Sequence, residues 1–156
     1  MKAYKYFFFF SIVIFSVGCG FFGKEFDEAW LKNNVVNLNQ VAKQALSIDG
    51  LSSVSGKNLY KDNAFKRFQV PPSASDIDNY NNLHKQLKKL NVKSLSVATN
   101  ERSVSFVLYD SGVYGEAYQS VVYSERSEIS TELTTPEVFS CKQSIYDLWF
   151  ICEGKQ

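Results

Sequence analysis

One histidine in 156 residues is the sharpest shortage in this chain. It excludes any multi-histidine metal site, and it leaves His84 as the sole base for a Ser-His-Asp or Cys-His nucleophile system. The three cysteines, Cys19, Cys141 and Cys152, form no CxxC pair, so a zinc ribbon is excluded as well. Glycine is sparse, with eight in all, and no complete P-loop of the form GxxxxGK[ST] occurs. Neither sign of charge prevails: 17 basic side chains face 16 acidic ones, a net of +1. That balance offers no electrostatic footprint for nucleic acid. No internal repeat, low-complexity tract or long linker interrupts the chain. No metal, cofactor or nucleic-acid partner is expected.

What the chain does have is an apolar beginning. Lys2 and Lys5 precede Tyr6 to Val17, an uncharged run of twelve residues, and small residues follow. A basic start, an apolar middle and a small-residue end are the parts of an export signal. Ser16-Val17-Gly18-Cys19 resembles the lipobox of bacterial lipoproteins, with Ser16 standing where an aliphatic residue is usual. The resemblance covers this segment alone. It implies cleavage before Cys19 and attachment of diacylglyceryl and N-acyl chains to that residue. It also implies a membrane-anchored domain in the cell envelope, on the periplasmic or extracellular side. Two other readings stay open at this point. From Tyr6 to Gly23 no residue is charged, a length near the lower limit of about 17–25 for a membrane span, so the leader could be kept as an anchor. It could also be a buried helix.

The division expected is a signal peptide at 1–18, a lipid-anchor tether at 19–24 and a single domain over 25–156. Removal of the leader leaves 138 residues, with 15 basic against 16 acidic side chains. That is enough for one modest core. Lipidation would consume Cys19 and leave an even pair, which suits a Cys141–Cys152 disulfide in an oxidising compartment. Two free core thiols are the alternative.

Two stretches read as helices. From about Glu25 to Ser47, residues Leu31, Val35, Leu38, Ala42 and Ala45 recur at three- and four-residue steps, with Phe26 and Trp30 extending the face. Asp49-Gly50 supplies the stop. From Ser73 to Asn91, Ile77, Tyr80, Leu83, His84, Leu87 and Leu90 repeat the pattern behind a capping box of Ser73 and Asp76. Between them, residues 51–57 read as loop and 58–68 as a short helix. Beyond Asn91 the period falls to two. Strands are expected at 94–98, 103–109, 117–124, 138–143 and 148–153, bounded by turns.

The fold expected is α+β in two layers, with two long helices on one face of an antiparallel meander of about five strands. Val104, Phe106 and Leu108 should meet Leu31, Leu38, Leu83 and Leu87 in the core. If Cys141 and Cys152 are a directly opposed pair, residue numbers across the last hairpin sum to 293, so Ser144 faces Trp149 and the turn centres on Tyr146-Asp147.

Chemistry is scarce. His84 sits among leucines and reads as a packing residue. Asp110, Glu116, Glu125 and Glu128 fall near loops, and their spacing selects no catalytic pair. The remaining candidate is a recognition face made by Ser103, Ser105 and Tyr109 on one strand and Tyr118 and Ser120 on the next, with Ser124 and Tyr114 beside them. Tyr gives contact area at low entropic cost and Ser gives adaptable hydrogen bonds. The ordinary alternative is a solvent-facing sheet surface. The expected function is therefore an envelope lipoprotein without catalytic activity that binds a protein partner or envelope component, as an inhibitor or immunity protein would. An accessory subunit of an envelope complex is the second reading, and a cell-wall hydrolase using loop carboxylates the third.

Overall fold

The computed structural model describes residues 27–56, 64–110, 117–126 and 139–155. The leader, Cys19, the tether, Phe26, Tyr60, Tyr114, Glu116 and Glu128 lie outside the described residues. Helix α1 spans Glu28–Leu46 and helix α2 spans Ala74–Leu90. Strands β1 (Ser53–Ser55), β2 (Ser94–Ala98), β3 (Ser103–Asp110), β4 (Ala117–Ser124), β5 (Phe139–Gln143) and β6 (Trp149–Lys155) form one antiparallel sheet in the order β1-β2-β3-β4-β6-β5. The fold is α+β.

Local chemistry accounts for the helix ends. Asp27 lies ahead of the first turn of α1 and caps it, its carboxylate accepting the Trp30 N–H at 2.9 Å. Gly50 closes the segment at φ +67°, a conformation that costs glycine nothing. In α2 the capping box forms in full: Ser73 Oγ accepts from the Asp76 N–H, and the Asp76 carboxylate accepts from the Ser73 N–H at 2.9 Å. Asn91 ends that helix in the left-handed region.

Apolar residues of both helices share a buried cluster with residues of the sheet. Leu31, Leu38, Leu83, Leu87, Val104, Phe106 and Leu108 all belong to one buried cluster, together with Val41, Leu95, Val121, Tyr123, Trp149 and Ile151. Trp149 is the largest side chain fully enclosed there. Its ring packs against Phe106 and Tyr123 at centroid distances of 5.8 and 5.3 Å, and its Nε1–H donates to Asn39 Oδ1 at 3.0 Å.

The last hairpin keeps the register set by its cysteines. Phe139 opposes Gly154, Cys141 opposes Cys152 and Gln143 opposes Phe150. The Ser144 N–H donates to the Trp149 carbonyl at 2.9 Å. The Cα atoms of Cys141 and Cys152 are 4.1 Å apart with their sulfurs at bonding distance, as a non-hydrogen-bonded pair allows.

Two expectations about the sheet are corrected. The described residues form six strands, because Ser53–Ser55, in a stretch that reads as loop, pairs with β2 and turns Val54 into the core. Three residues are too short for a periodic signal, and only the pairing with Leu95 reveals them. The sheet is also not a strict meander, since β6 lies between β4 and β5. Composition explains the exchange. Strand β6 buries Trp149, Phe150, Ile151 and Cys152, whereas Ser140, Lys142 and Gln143 on β5 are exposed and suit an edge. The short helix expected over 58–68 is a single 3₁₀ turn at Ala64–Arg67 within the described part.

Candidate functional site

The strand pairs bring the serines of the expected recognition face together, but they do not leave them open. Ser105 opposes Val122, Ser120 opposes both Val107 and Cys152, and Ser103 opposes Ser124. Ser103, Ser105, Ser120 and Ser124 are all buried, with exposures of 3% or less. They are short side chains set among Val107, Val122, Phe150 and the disulfide, and three of those larger residues form a second apolar cluster with Cys141 packed against it. The exposed Tyr/Ser face is therefore corrected at its serines. A signal for this was present: Val121-Val122 and Phe150-Ile151 are apolar in both phases, the mark of strands buried on two sides.

Tyr109 parts from the serines for a different reason. The register shifts between Val107 and Tyr109, so that Val107 opposes Ser120 while Tyr109 opposes Gln119 and Asp110 opposes Tyr118. A one-residue bulge breaks the alternation that puts Tyr109 in phase with Ser103 and Ser105. Tyr109 takes the phase of Gln119, whereas Tyr118, on the unbulged β4, keeps the phase of Ser120 and Ser124; both positions lie at the far end of the β3–β4 pair.

The groups that could do chemistry are committed elsewhere. His84 is 7% exposed, and its Nδ1 lies 2.5 Å from the Ser55 carbonyl. A carbonyl only accepts, so Nδ1 carries the proton, and the bond ties α2 to β1. Glu125 pairs with Arg102, whose left-handed backbone closes the β2–β3 turn. That hydrogen bond, then the charge itself, raises the Arg102 pKa further. Arg126 donates to the Asn100 carbonyl at 2.8 Å, a second link between the residues that follow β4 and the β2–β3 turn. Burial, with the Glu125 carboxylate adding to it, pushes the Tyr123 phenol above its ordinary range, so it stays neutral. Asp110 stands at the end of β3 opposite Tyr118. No cluster of three or more His, Cys, Asp or Glu with metal-binding geometry occurs among the described residues. No helix among them is long and apolar enough to cross a membrane.

Sequence reasoning missed one junction. Ser144 Oγ donates to Glu28 Oε2 at 2.8 Å and accepts the Tyr146 N–H at 3.2 Å. This fastens the β5–β6 turn to the first turn of α1, across 116 residues of sequence. No local pattern announces such a contact.

No protein family, curated protein or solved structure matches this chain.

Proposed function

We propose that this protein is an envelope lipoprotein, acylated at Cys19, that has no catalytic activity and acts by binding a protein partner. The observation that carries the reading is the ending of the apolar leader in Ser16-Val17-Gly18-Cys19. The pairing of Cys141 with Cys152 supports it, because it leaves Cys19 for the lipid and fits an oxidising compartment. The use of the only histidine as a strut between α2 and β1 supports the non-catalytic part.

In this reading the two helices cover one face of the sheet, and the partner is met at the tyrosine end of the β3–β4 pair, at Tyr109 and Tyr118. The buried serines take no part in contact. Affinity capture of the tagged, membrane-extracted full chain, after crosslinking, tests this. A defined co-purifying protein is expected, lost in Tyr109→Ala/Tyr118→Ala. Recovery of no partner, or unchanged recovery with the double variant, refutes the binding site. Labelling with a palmitate analogue tests the anchor, and equal labelling of wild type and Cys19→Ala refutes it.

A further inference from the structure

The β5–β6 turn is fixed at the end of the domain where α1 begins. Ser144 holds Glu28 in the first turn of α1, while Trp149 on the other side of the turn holds Asn39 beyond the middle of that helix, so it is the Ser144 side of the tip that sits where α1 begins. Ile145, inside that turn, is 74% exposed. The exposed Phe65 and Val70 belong to a different end. The Gln69 N–H donates to the Gly50 carbonyl at 2.7 Å, just past the C-terminus of α1. A helix of nineteen residues is about 28 Å long, which separates those two ends.

Only eight residues lie between Cys19 and Glu28, so the nine Cα steps that join them cannot exceed about 32 Å. We propose that the Ser144–Leu148 turn is the membrane-facing tip of the domain, and that Ile145 enters the interface of the bilayer holding the Cys19 lipid. The inference rests on the acylation of Cys19 proposed above. One apolar side chain would not bring a protein to a membrane from solution. A tether makes the contact intramolecular and raises the effective concentration of the surface, so a small apolar tip suffices to orient the domain. The exposed Lys142 and Asp147 nearby carry opposite charges, so the contact is apolar and does not require anionic lipid. Such a tip would stand the α1 axis off the membrane and carry the Gly50 end outward.

The test uses the full chain with Ile145→Cys, purified from membranes and labelled with an environment-sensitive nitrobenzoxadiazole thiol reagent. Cys19 is blocked by its lipid and the other two cysteines by their disulfide, so the label has a single target. Phe65→Cys serves as the control. In phosphatidylcholine vesicles carrying a shallow doxyl quencher, the label at 145 should be quenched at least about twofold more than at 65, as insertion to interfacial depth demands. Equal quenching on protein whose Cys19 lipid is verified by mass overturns the orientation and leaves the anchor standing. Absence of the lipid by mass overturns both.

Discussion

Gly56 should tolerate no side chain, and the reason is backbone. A Cβ there would lie 1.9 Å from the Val92 carbonyl oxygen, 3.0 Å from its carbon and 3.2 Å from the Lys93 oxygen. The Gly56 N–H donates to the Lys93 carbonyl at 2.8 Å, and the Lys93 N–H donates to the Val107 carbonyl at 2.8 Å. The segment after β1 is thus pressed against the chain entering β2, and neither side can yield without breaking a bond. Overpacking of this kind costs about 1–3 kcal/mol, and the lost hydrogen bond about 1 kcal/mol. The ordinary stabilisation from replacing glycine by alanine, about 0.4–1 kcal/mol, offsets little of that. Gly56→Ala should therefore lose about 3 kcal/mol, or roughly 10 °C in melting temperature for a domain of this size. Gly50→Ala is the informative comparison. Its φ of +67° costs alanine about 1–2 kcal/mol. The atom met there at 2.8 Å is Val70 Cγ2, on a half-exposed side chain that can move aside. Urea unfolding followed by fluorescence of the buried Trp30 and Trp149 would rank the two variants. A Gly56→Ala protein as stable as Gly50→Ala, or more so, would refute the account of how β1 meets β2.

Reduction of Cys141–Cys152, or replacement of both by serine, releases a loop of sequence separation 11. The loop-closure estimate is about 3 kcal/mol, and an unchanged urea midpoint under reductant would contradict it. The α2 cap should titrate. Hydrogen bonds from the Ser73 side chain and backbone hold the Asp76 carboxyl below its ordinary value of 3.8, so its contribution is complete above that pH and disappears as pH falls through the lowered value. Acid unfolding of Asp76→Asn should lack that component, and superimposable acid profiles would count against the cap. Removing either partner of the Trp149–Asn39 bond should destabilise, and Trp149→Phe with Asn39→Ala should show a coupling of about 1 kcal/mol. Strict additivity would mean that the bond contributes nothing.

The bulge and the buried serines bear on function more than any other detail of the sheet. A strict alternation would join Ser103, Ser105 and Tyr109 into one surface. The shift after Val107 instead separates Tyr109 from the serines, and the serines are buried on the face that also carries Val122, Phe150 and Cys152. Ser124 illustrates the consequence. Its hydroxyl is buried and has no hydrogen-bond partner among the described residues.

Elements whose signals are local were legible from the amino-acid sequence alone. The capping box of Ser73 and Asp76, the stop at Gly50 and the helical spacing of Leu31, Leu38, Leu83 and Leu87 each depend on neighbours within a turn or two. The pairing of Cys141 with Cys152 and the hairpin register that follows depend on a loop only eleven residues long. Tertiary structure alone decided the rest. Strand β1 exists because Val54 finds Leu95, β6 displaces β5 from beside β4 because its side chains are the more apolar, and Glu28 meets Ser144 across most of the chain. Burial of a residue depends on what covers it, and contacts between distant segments leave no periodic trace in the sequence that forms them.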